Sequence, residues 1–89
     1  MPARVGPLAM ERRLTLYHRE GCGLCDQMLA ELSALKSRYT FALEIVDIDE
    51  DPELRERFNV LVPVLAVDGD ILCCHFLDRS ALLDELASA

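Results

Sequence analysis

The sequence contains no block of basic residues. Its 9 Lys and Arg residues are outnumbered by 16 Asp and Glu residues, which gives a formal net charge of −7. Nucleic acids and anionic membranes attract a concentrated positive surface, and this chain does not supply one. We therefore expect no nucleic-acid partner and no membrane partner.

Long apolar runs are also missing. The longest covers residues 60–67, is interrupted by Pro63, and is far shorter than the roughly 20 residues that a membrane-spanning helix needs. The first ten residues lack the apolar core of about seven or more residues that a secretory signal carries. These two absences predict a cytoplasmic protein.

The chain shows neither internal repeats nor an interdomain linker. With 89 residues, of which 52% are apolar, it is long enough to bury one core without disulfide staples. Residues 1–12 show no periodicity and include two prolines, so we expect a disordered or loosely attached extension, with Met10 as an alternative start. The remaining residues, 13–87, are predicted to form a single domain.

Two cysteines, Cys22 and Cys25, follow a short run of β-forming residues at positions 13–17. A helical face begins between the two cysteines; its members are Leu24, Met28, Leu32 and Leu35. This pattern predicts a strand-to-helix turn with Cys22 at the helix N-terminus, where backbone N–H groups and the helix dipole favour the thiolate. Cys25, one turn later, is suitably spaced to resolve a mixed disulfide.

A Cys-x-x-Cys pair has other interpretations. It can form half of a zinc site, or it can be a buried pair without chemistry. The chain has four cysteines, the others being Cys73 and Cys74. In a chain that is not exported they favour redox or metal chemistry over a structural disulfide framework. Neighbouring strand residues point to opposite faces, so Cys73 and Cys74 are not both expected at the site.

The rest of the chain alternates between strand-like and helix-like segments. Residues 41–48 are predicted to form a strand covered on both faces, and Asp51 is predicted to cap a helix that begins at Pro52 and ends near Arg57. A calcium loop at residues 47–58 is excluded, because Pro52 occupies the position that needs glycine.

The second half of the chain predicts a hairpin and a last helix. Residues 60–67 and 71–74 are read as strands joined at Asp68-Gly69-Asp70, and Asp78 is read as the cap of the helix that follows. The predicted order is β-α-β-α-β-β-α.

With this order the chain resembles the glutaredoxin-like proteins of the thioredoxin fold over about residues 13–87. The matching features are the element order, the Cys-x-x-Cys after the first strand, and Val62-Pro63-Val64 at the third strand. The resemblance implies an α/β thioredoxin-like fold with a four-stranded mixed sheet flanked by helices. It also implies a cis peptide bond before Pro63, whose neighbouring backbone meets an incoming disulfide.

The resemblance supplies the candidate substrate-binding residues. Arg19 occupies a position where glutaredoxins usually have lysine, so it is expected to meet a substrate carboxylate and to favour the Cys22 thiolate. The other candidates lie between the cysteines and before the third strand; they are Gly23, Leu24, Val62 and Pro63. Gly23 and Leu24 depart from the proline and aromatic residue that many glutaredoxins carry there.

A second departure concerns glutathione. Glutaredoxins usually have Gly-Gly after the hairpin, followed by an acidic or hydroxyl residue that binds the γ-glutamyl end, and this chain has Cys73-Cys74-His75 in that register. We therefore expect no tightly bound cofactor, no metal, and weak glutathione binding.

The predicted function is thiol-disulfide oxidoreductase activity and electron transport, with Cys22 as the nucleophile and Cys25 as the resolving residue. The expected partners are a disulfide-containing protein or small molecule and a thiol reductant or reductase. The alternatives are a zinc or iron–sulfur module and a redox-inactive interaction domain.

Overall fold

The computed structural model describes residues 11–87 of the chain, so most of the predicted N-terminal extension lies outside it. The strands are β1 (Arg12–His18), β2 (Phe41–Asp47), β3 (Val64–Val67) and β4 (Asp70–Cys74). The helices are α1 (Gly23–Leu35), α2 (Pro52–Phe58) and α3 (Arg79–Ala87), with a short 3₁₀ helix at Ile48–Glu50. The predicted order β-α-β-α-β-β-α is therefore confirmed, and β1 begins one residue before the predicted domain boundary.

The four strands form one mixed sheet in the order β2-β1-β3-β4. Strand β1 runs parallel to β2 and antiparallel to β3, and β3 and β4 form an antiparallel hairpin. A parallel pair needs a crossover, and α1 supplies it between β1 and β2. The sheet is the four-stranded mixed sheet of the thioredoxin-like fold.

Helices cover both faces of the sheet. On one face, α1 and α3 pack against the central strands and form the main core; its buried residues include Leu14, Leu16, Met28, Leu32, Leu65, Leu82 and Leu86. On the other face, α2 covers a smaller cluster centred on Ile48, Phe58 and Val64. The rings of Phe58 and Tyr17 lie 4.7 Å apart there and join α2 to β1.

The helix N-termini follow the predicted capping. Asp51 accepts a hydrogen bond from the N–H of Glu53 (2.9 Å), and Pro52 opens α2. Asp78 accepts from the N–H of Ala81 (3.1 Å) and so caps α3. Both aspartates satisfy N–H groups that have no partner inside the helix.

Two predictions need correction. Strand β2 is not covered on both faces, since all of its residues after Phe41 are partly or fully exposed and Ile45 is 46% exposed. Strand β3 begins at Val64 rather than at Val60, because the chain from residue 59 to residue 63 turns instead of extending. The 3₁₀ helix at Ile48–Glu50 was not predicted; the Asp47 carboxylate caps it by accepting from the N–H of Asp49.

The hairpin turn at Asp68-Gly69 uses backbone angles that suit these residues. Both residues have positive φ, 51° and 94°, and a two-residue hairpin loop with positive φ at both positions favours Asp-Gly. The pairing also shifts by one residue between Leu65 and Ala66. This bulge allows two consecutive residues of β4, Leu72 and Cys73, to pack against the main core.

Candidate active site

One end of the sheet brings together four segments that are distant in the sequence. Tyr17 pairs with Val64, His18 with Asp47, and Cys74 with Val64. The chain that leaves β1, β2 and β4 and the chain that enters β3 therefore meet there. We call it the site end; its segments are residues 18–25, 47–51, 59–63 and 75–77. The opposite end, with the Asp68-Gly69 turn, is the remote end.

Cys22 is the N-cap residue of α1. Gly21 precedes it with a φ of 79°, a left-handed conformation that glycine adopts without strain and that turns the chain from β1 into the helix. Cys22 itself is extended, and its Sγ accepts a hydrogen bond from the backbone N–H of Cys25 at 3.0 Å. In the reduced protein this donor and the helix dipole favour the Cys22 thiolate.

Cys22 and Cys25 are joined as a disulfide across one turn of α1. Their Cα atoms are 5.2 Å apart, a distance that suits a disulfide without backbone movement. The two residues differ in accessibility, since Cys22 is partly exposed whereas Cys25 is only 2% exposed. An incoming sulfur therefore meets Cys22 first, and Cys25 can act only from inside the molecule.

The Val62–Pro63 peptide bond is cis, as predicted. Pro63 is buried, and Val62 packs against the smaller cluster on the α2 side of the sheet. The carbonyl of Pro63 accepts a hydrogen bond from the N–H of His75 at 2.7 Å. The register of β1 with β3 places this bond at the same end of the sheet as the disulfide.

Arg19 lies at the site end, and its guanidinium is already engaged within the protein. Its Nε and Nη2 donate to the two carboxylate oxygens of Asp49 at 3.0 and 2.9 Å, and its Nη1 donates to the carbonyl of Asn59 at 3.2 Å. The side-chain hydrogen bonding between Arg19 and Asp49 lowers the pKa of Asp49 and raises the pKa of Arg19. The expected contact with a substrate carboxylate stays a prediction, and it would compete with Asp49.

The two residues between the cysteines lie in the first turn of α1. Gly23 is exposed, with open space where a Cβ would stand, and Leu24 is partly exposed. Neither shields the Cys22 sulfur with a ring, as an aromatic residue at these positions would do. Their expected contact with substrate also stays a prediction.

The other two cysteines lie on β4 and face opposite sides of the sheet, as expected. Cys73 packs against the main core, and Cys74 packs with the smaller cluster. Burial raises the pKa of the Cys73 thiol, which disfavours its thiolate form. Neither is joined in a disulfide.

The structure also shows a site-end residue to which the sequence assigned no role. His75 has a φ of 68°, uncommon for a residue other than glycine, and its Nε2 lies 2.8 Å from the carbonyl oxygen of Val60. In the sequence it stood out only by its register, where glutaredoxins usually carry an acidic or hydroxyl residue. Its partner is a backbone carbonyl, and no side-chain pattern reveals such a partner.

Exposed apolar side chains flank the disulfide and the cis bond. Val60 is 77%, Leu61 37% and Phe76 64% exposed.

Within residues 11–87, no three His, Cys, Asp or Glu side chains are grouped in a way that could hold a metal ion. None of the helices in this part of the chain is long and apolar enough to span a membrane.

Comparison with known proteins gives one family and several similar structures. Residues 13–87 match the family described as Glutaredoxin-like domain (DUF836). The solution structure of protein Ne2328 from Nitrosomonas europaea is 38% identical, with a TM-score of 0.77 over 85% of this chain and 92% of that chain. The X-ray structure of protein XcR50 from X. campestris is 35% identical, with a TM-score of 0.68 over 85% and 97%.

A third similar structure is a mutant thioredoxin from Halobacterium salinarum. It is 25% identical to this chain, with a TM-score of 0.63, and the match covers 88% of this chain and 74% of that one. The family match and the structural similarities agree. The matched family covers the segment from β1 to α3, and the similar structures share the fold of that segment.

Proposed function

The chain belongs to the glutaredoxin-like family of the thioredoxin fold, and on that premise we propose that it is a thiol-disulfide oxidoreductase that uses Cys22 and Cys25. The observation that carries the proposal is the disulfide at the N-terminus of α1, with one accessible and one buried sulfur. One of the similar structures is named a thioredoxin, and its name agrees with this chemistry.

The proposed reaction has two exchange steps. The Cys22 thiolate attacks one sulfur of a substrate disulfide, which forms a mixed disulfide and releases the other substrate sulfur as a thiolate. The Cys25 thiolate then attacks the Cys22 sulfur, which forms the Cys22–Cys25 disulfide and releases the second substrate thiolate. The substrate gains two electrons and the protein loses two. An external thiol reductant restores the two protein thiols.

The buried position of Cys25 supports this division of labour. Its sulfur is shielded from an external disulfide, but it lies one helical turn from Cys22 and reaches that sulfur without backbone movement. The N–H of Cys25 in turn favours the Cys22 thiolate in the reduced state. The two cysteines thus support each other's role.

We further propose that a dithiol reductant serves this protein better than glutathione does. The backbone N–H of His75, in the register where the family receives glutathione, already donates to the carbonyl of Pro63 at 2.7 Å, and the N–H of the next residue, Phe76, donates to the carbonyl of Cys74 at 2.7 Å. The guanidinium of Arg19 likewise already donates two hydrogen bonds to the carboxylate of Asp49. Loss of two charge-assisted hydrogen bonds, each worth about 1.5–3 kcal/mol, weakens a small anionic ligand by about two orders of magnitude or more.

Activity in the cytoplasm and a role in electron transport belong to the same proposal. The substrate is a disulfide in a protein or a small molecule, and the reductant is a thiol or a reductase. A cytoplasmic setting agrees with two free thiols on β4, because reducing compartments keep thiols in this form.

The test compares the parent protein with Cys25→Ser in two assays. In the first, dithiothreitol drives insulin reduction; in the second, glutathione drives reduction of hydroxyethyl disulfide. We expect the parent to work well with dithiothreitol and at least about tenfold more slowly with glutathione, in line with weak ligand binding. Cys25→Ser should lose the dithiol-driven activity.

Three results would count against the proposal. A parent protein that reduces neither disulfide would be a redox-inactive interaction domain. A Cys25→Ser variant that keeps full glutathione-coupled activity would show a monothiol mechanism. Metal retained stoichiometrically by the reduced protein in native mass spectrometry would favour a metal-binding module instead.

A further inference from the structure

The segment from Asn59 to Pro63 leads to the cis bond and has no helical or strand structure. Such a segment gains its position from individual contacts rather than from a hydrogen-bonding ladder. One of these is local: the N–H of Leu61 donates to the carbonyl of Phe58 at 2.9 Å. Further hydrogen bonds to the segment come from two residues that lie far away in the sequence, Arg19 and His75.

His75 holds this segment at two points. Its backbone N–H donates to the carbonyl of Pro63 at 2.7 Å, and its ring Nε2 lies 2.8 Å from the carbonyl oxygen of Val60. A carbonyl oxygen can only accept, so Nε2 carries the proton and donates. The left-handed backbone of His75, with a φ of 68°, turns the chain sharply after β4. The hydrogen bond from the ring is therefore made by a residue in a left-handed backbone conformation, which residues other than glycine seldom adopt.

Arg19 holds the adjacent residue from the other direction. Its Nη1 donates to the carbonyl of Asn59 at 3.2 Å, while Asp49 fixes the guanidinium through two further hydrogen bonds. Arg19 follows β1 and His75 follows β4, and these two strands flank β3 in the sheet. The segment leads into β3. Its two consecutive carbonyls are therefore bound from opposite sides of β3: Arg19, after β1, binds the carbonyl of Asn59, and His75, after β4, binds the carbonyl of Val60.

We propose that His75 is a positioning residue for the active site, and that together with Arg19 it orders the Asn59–Pro63 segment for substrate binding. The inference rests on the proposed function, because it assumes that a peptide substrate pairs with backbone next to Pro63. A segment already ordered costs less conformational entropy when a peptide pairs with it. The ring of His75 meets no reacting sulfur in this account and acts only through the segment.

The structural half of the inference is tested without any activity. His75→Gly removes the ring but keeps a residue that adopts positive φ freely, whereas His75→Gln retains a side-chain N–H donor of comparable reach. In His75→Gly the Leu61 amide should exchange its hydrogen about tenfold faster, as expected when one hydrogen bond that restrains local opening is lost. The Leu16 amide, in a central strand, should exchange at the parent rate.

The functional half compares a peptide substrate with a small one. In His75→Gly the KM for insulin should rise about tenfold, which corresponds to about 1.4 kcal/mol, with kcat little changed. The rate at which the reduced protein reacts with hydroxyethyl disulfide in a single turnover without glutathione, where neither reactant brings a peptide backbone, should stay at the parent value. The reduction potential should also be unchanged, and His75→Gln should restore part of the insulin KM.

The outcomes separate this inference from the proposed function. An unchanged Leu61 exchange rate in His75→Gly overturns the positioning role. An active parent whose insulin KM is unchanged in His75→Gly, or whose two substrates lose rate equally, also overturns it while leaving the oxidoreductase proposal intact. A parent that reduces neither disulfide overturns the proposed function itself, whatever the exchange rates show.

Discussion

Arg12 and Arg19 stand at the two ends of β1, and each forms an ion pair with an aspartate from a distant part of the chain. At the remote end, Arg12 Nη1 lies 2.8 Å from Asp68. At the site end, Arg19 Nη2 lies 2.9 Å from Asp49. Both pairs are partly exposed, so the Coulomb attraction within each is screened by water. The difference between them lies in what else each arginine holds.

Arg12 joins elements that are already regular. Its Nε donates to the carbonyl of Glu85 in α3 at 3.2 Å, and Asp68 also accepts from the N–H of Arg13 at 3.0 Å. The remote end thus ties together a strand, a hairpin turn and a helix. Arg19 instead holds the carbonyl of Asn59, in a segment without regular structure. Similar ion pairs should therefore affect stability at one end and activity at the other.

The largest expected effect comes from removal of the accessible sulfur. Cys22→Ser should lower dithiothreitol-driven insulin reduction by at least about a thousandfold, because a serine hydroxyl is not ionised and is a poor nucleophile at neutral pH. The matched control at the remote end, Asp68→Asn, should retain the parent rate per folded molecule. Substantial activity left in Cys22→Ser would show that another thiol starts the reaction.

The second prediction compares the two arginines directly. Arg19→Ala should lower kcat/KM for insulin by about five- to tenfold, as expected when one hydrogen bond that orders the substrate-binding segment is lost. Arg12→Ala should leave turnover per folded molecule unchanged and should cost about 1 kcal/mol of stability, through the lost contacts to Glu85 and Asp68. Thermal unfolding and insulin kinetics measure both quantities.

Arg19→Lys sharpens this comparison. Lysine keeps the positive charge but lacks the planar fork that binds both oxygens of Asp49 and a carbonyl at the same time. We expect it to restore little of the activity lost in Arg19→Ala. Full recovery would mean that charge alone matters at this position, as expected for a contact with a substrate carboxylate. Equal activity losses in Arg12→Ala and Arg19→Ala would remove the distinction between the ends.

The smallest expected effect concerns pH at the remote end. The hydrogen bonds from the N–H of Arg13 and the side chain of Arg12 lower the pKa of Asp68 in the folded protein. A lowered folded pKa adds stability above the ordinary aspartate pKa, and this stability is lost as pH falls through the folded pKa. Since the Asp68 side chain is 42% exposed, water screens the effect, and Asp68→Asn should cost about 0.5 kcal/mol at pH 7.

Denaturant unfolding at several pH values tests this prediction. The stability difference between the parent and Asp68→Asn should shrink as pH falls below the ordinary aspartate pKa and through the lowered pKa of the folded protein. Asparagine keeps an oxygen for the N–H of Arg13 and tolerates positive φ, so the substitution removes charge with little change of shape. A difference that stays constant from pH 7 to pH 3 would mean that this charge contributes nothing to folding.

The sequence predicted the elements and the place of the cysteine pair between β1 and α1 because both depend on local signals. Strong caps at Asp51 and Asp78, the Asp68-Gly69 turn and the Cys-x-x-Cys all appeared at the predicted places. The predicted family is confirmed by the match over residues 13–87. These features need only neighbouring residues to be recognised.

The contacts around the site could not be predicted, because they join residues far apart in the sequence. The partners of Arg19 are 30 and 40 positions away, and that of His75 is 15 positions away. Two of these three partners are backbone carbonyls, which every residue has. Composition predicts one strand over the apolar run at residues 60–67, because composition alone does not show where such a run turns. The exposure of β2 likewise depends on what packs over that strand, which its own residues do not encode.

The central claim is that the Cys22–Cys25 disulfide is a working redox couple rather than a structural bridge. Its reduction potential tests this most directly, measured by thiol trapping after equilibration in dithiothreitol buffers of known poise. We predict a reduction potential between roughly −200 and −270 mV, the range spanned by glutaredoxins and thioredoxin. A value below about −300 mV, typical of structural disulfides, would contradict it.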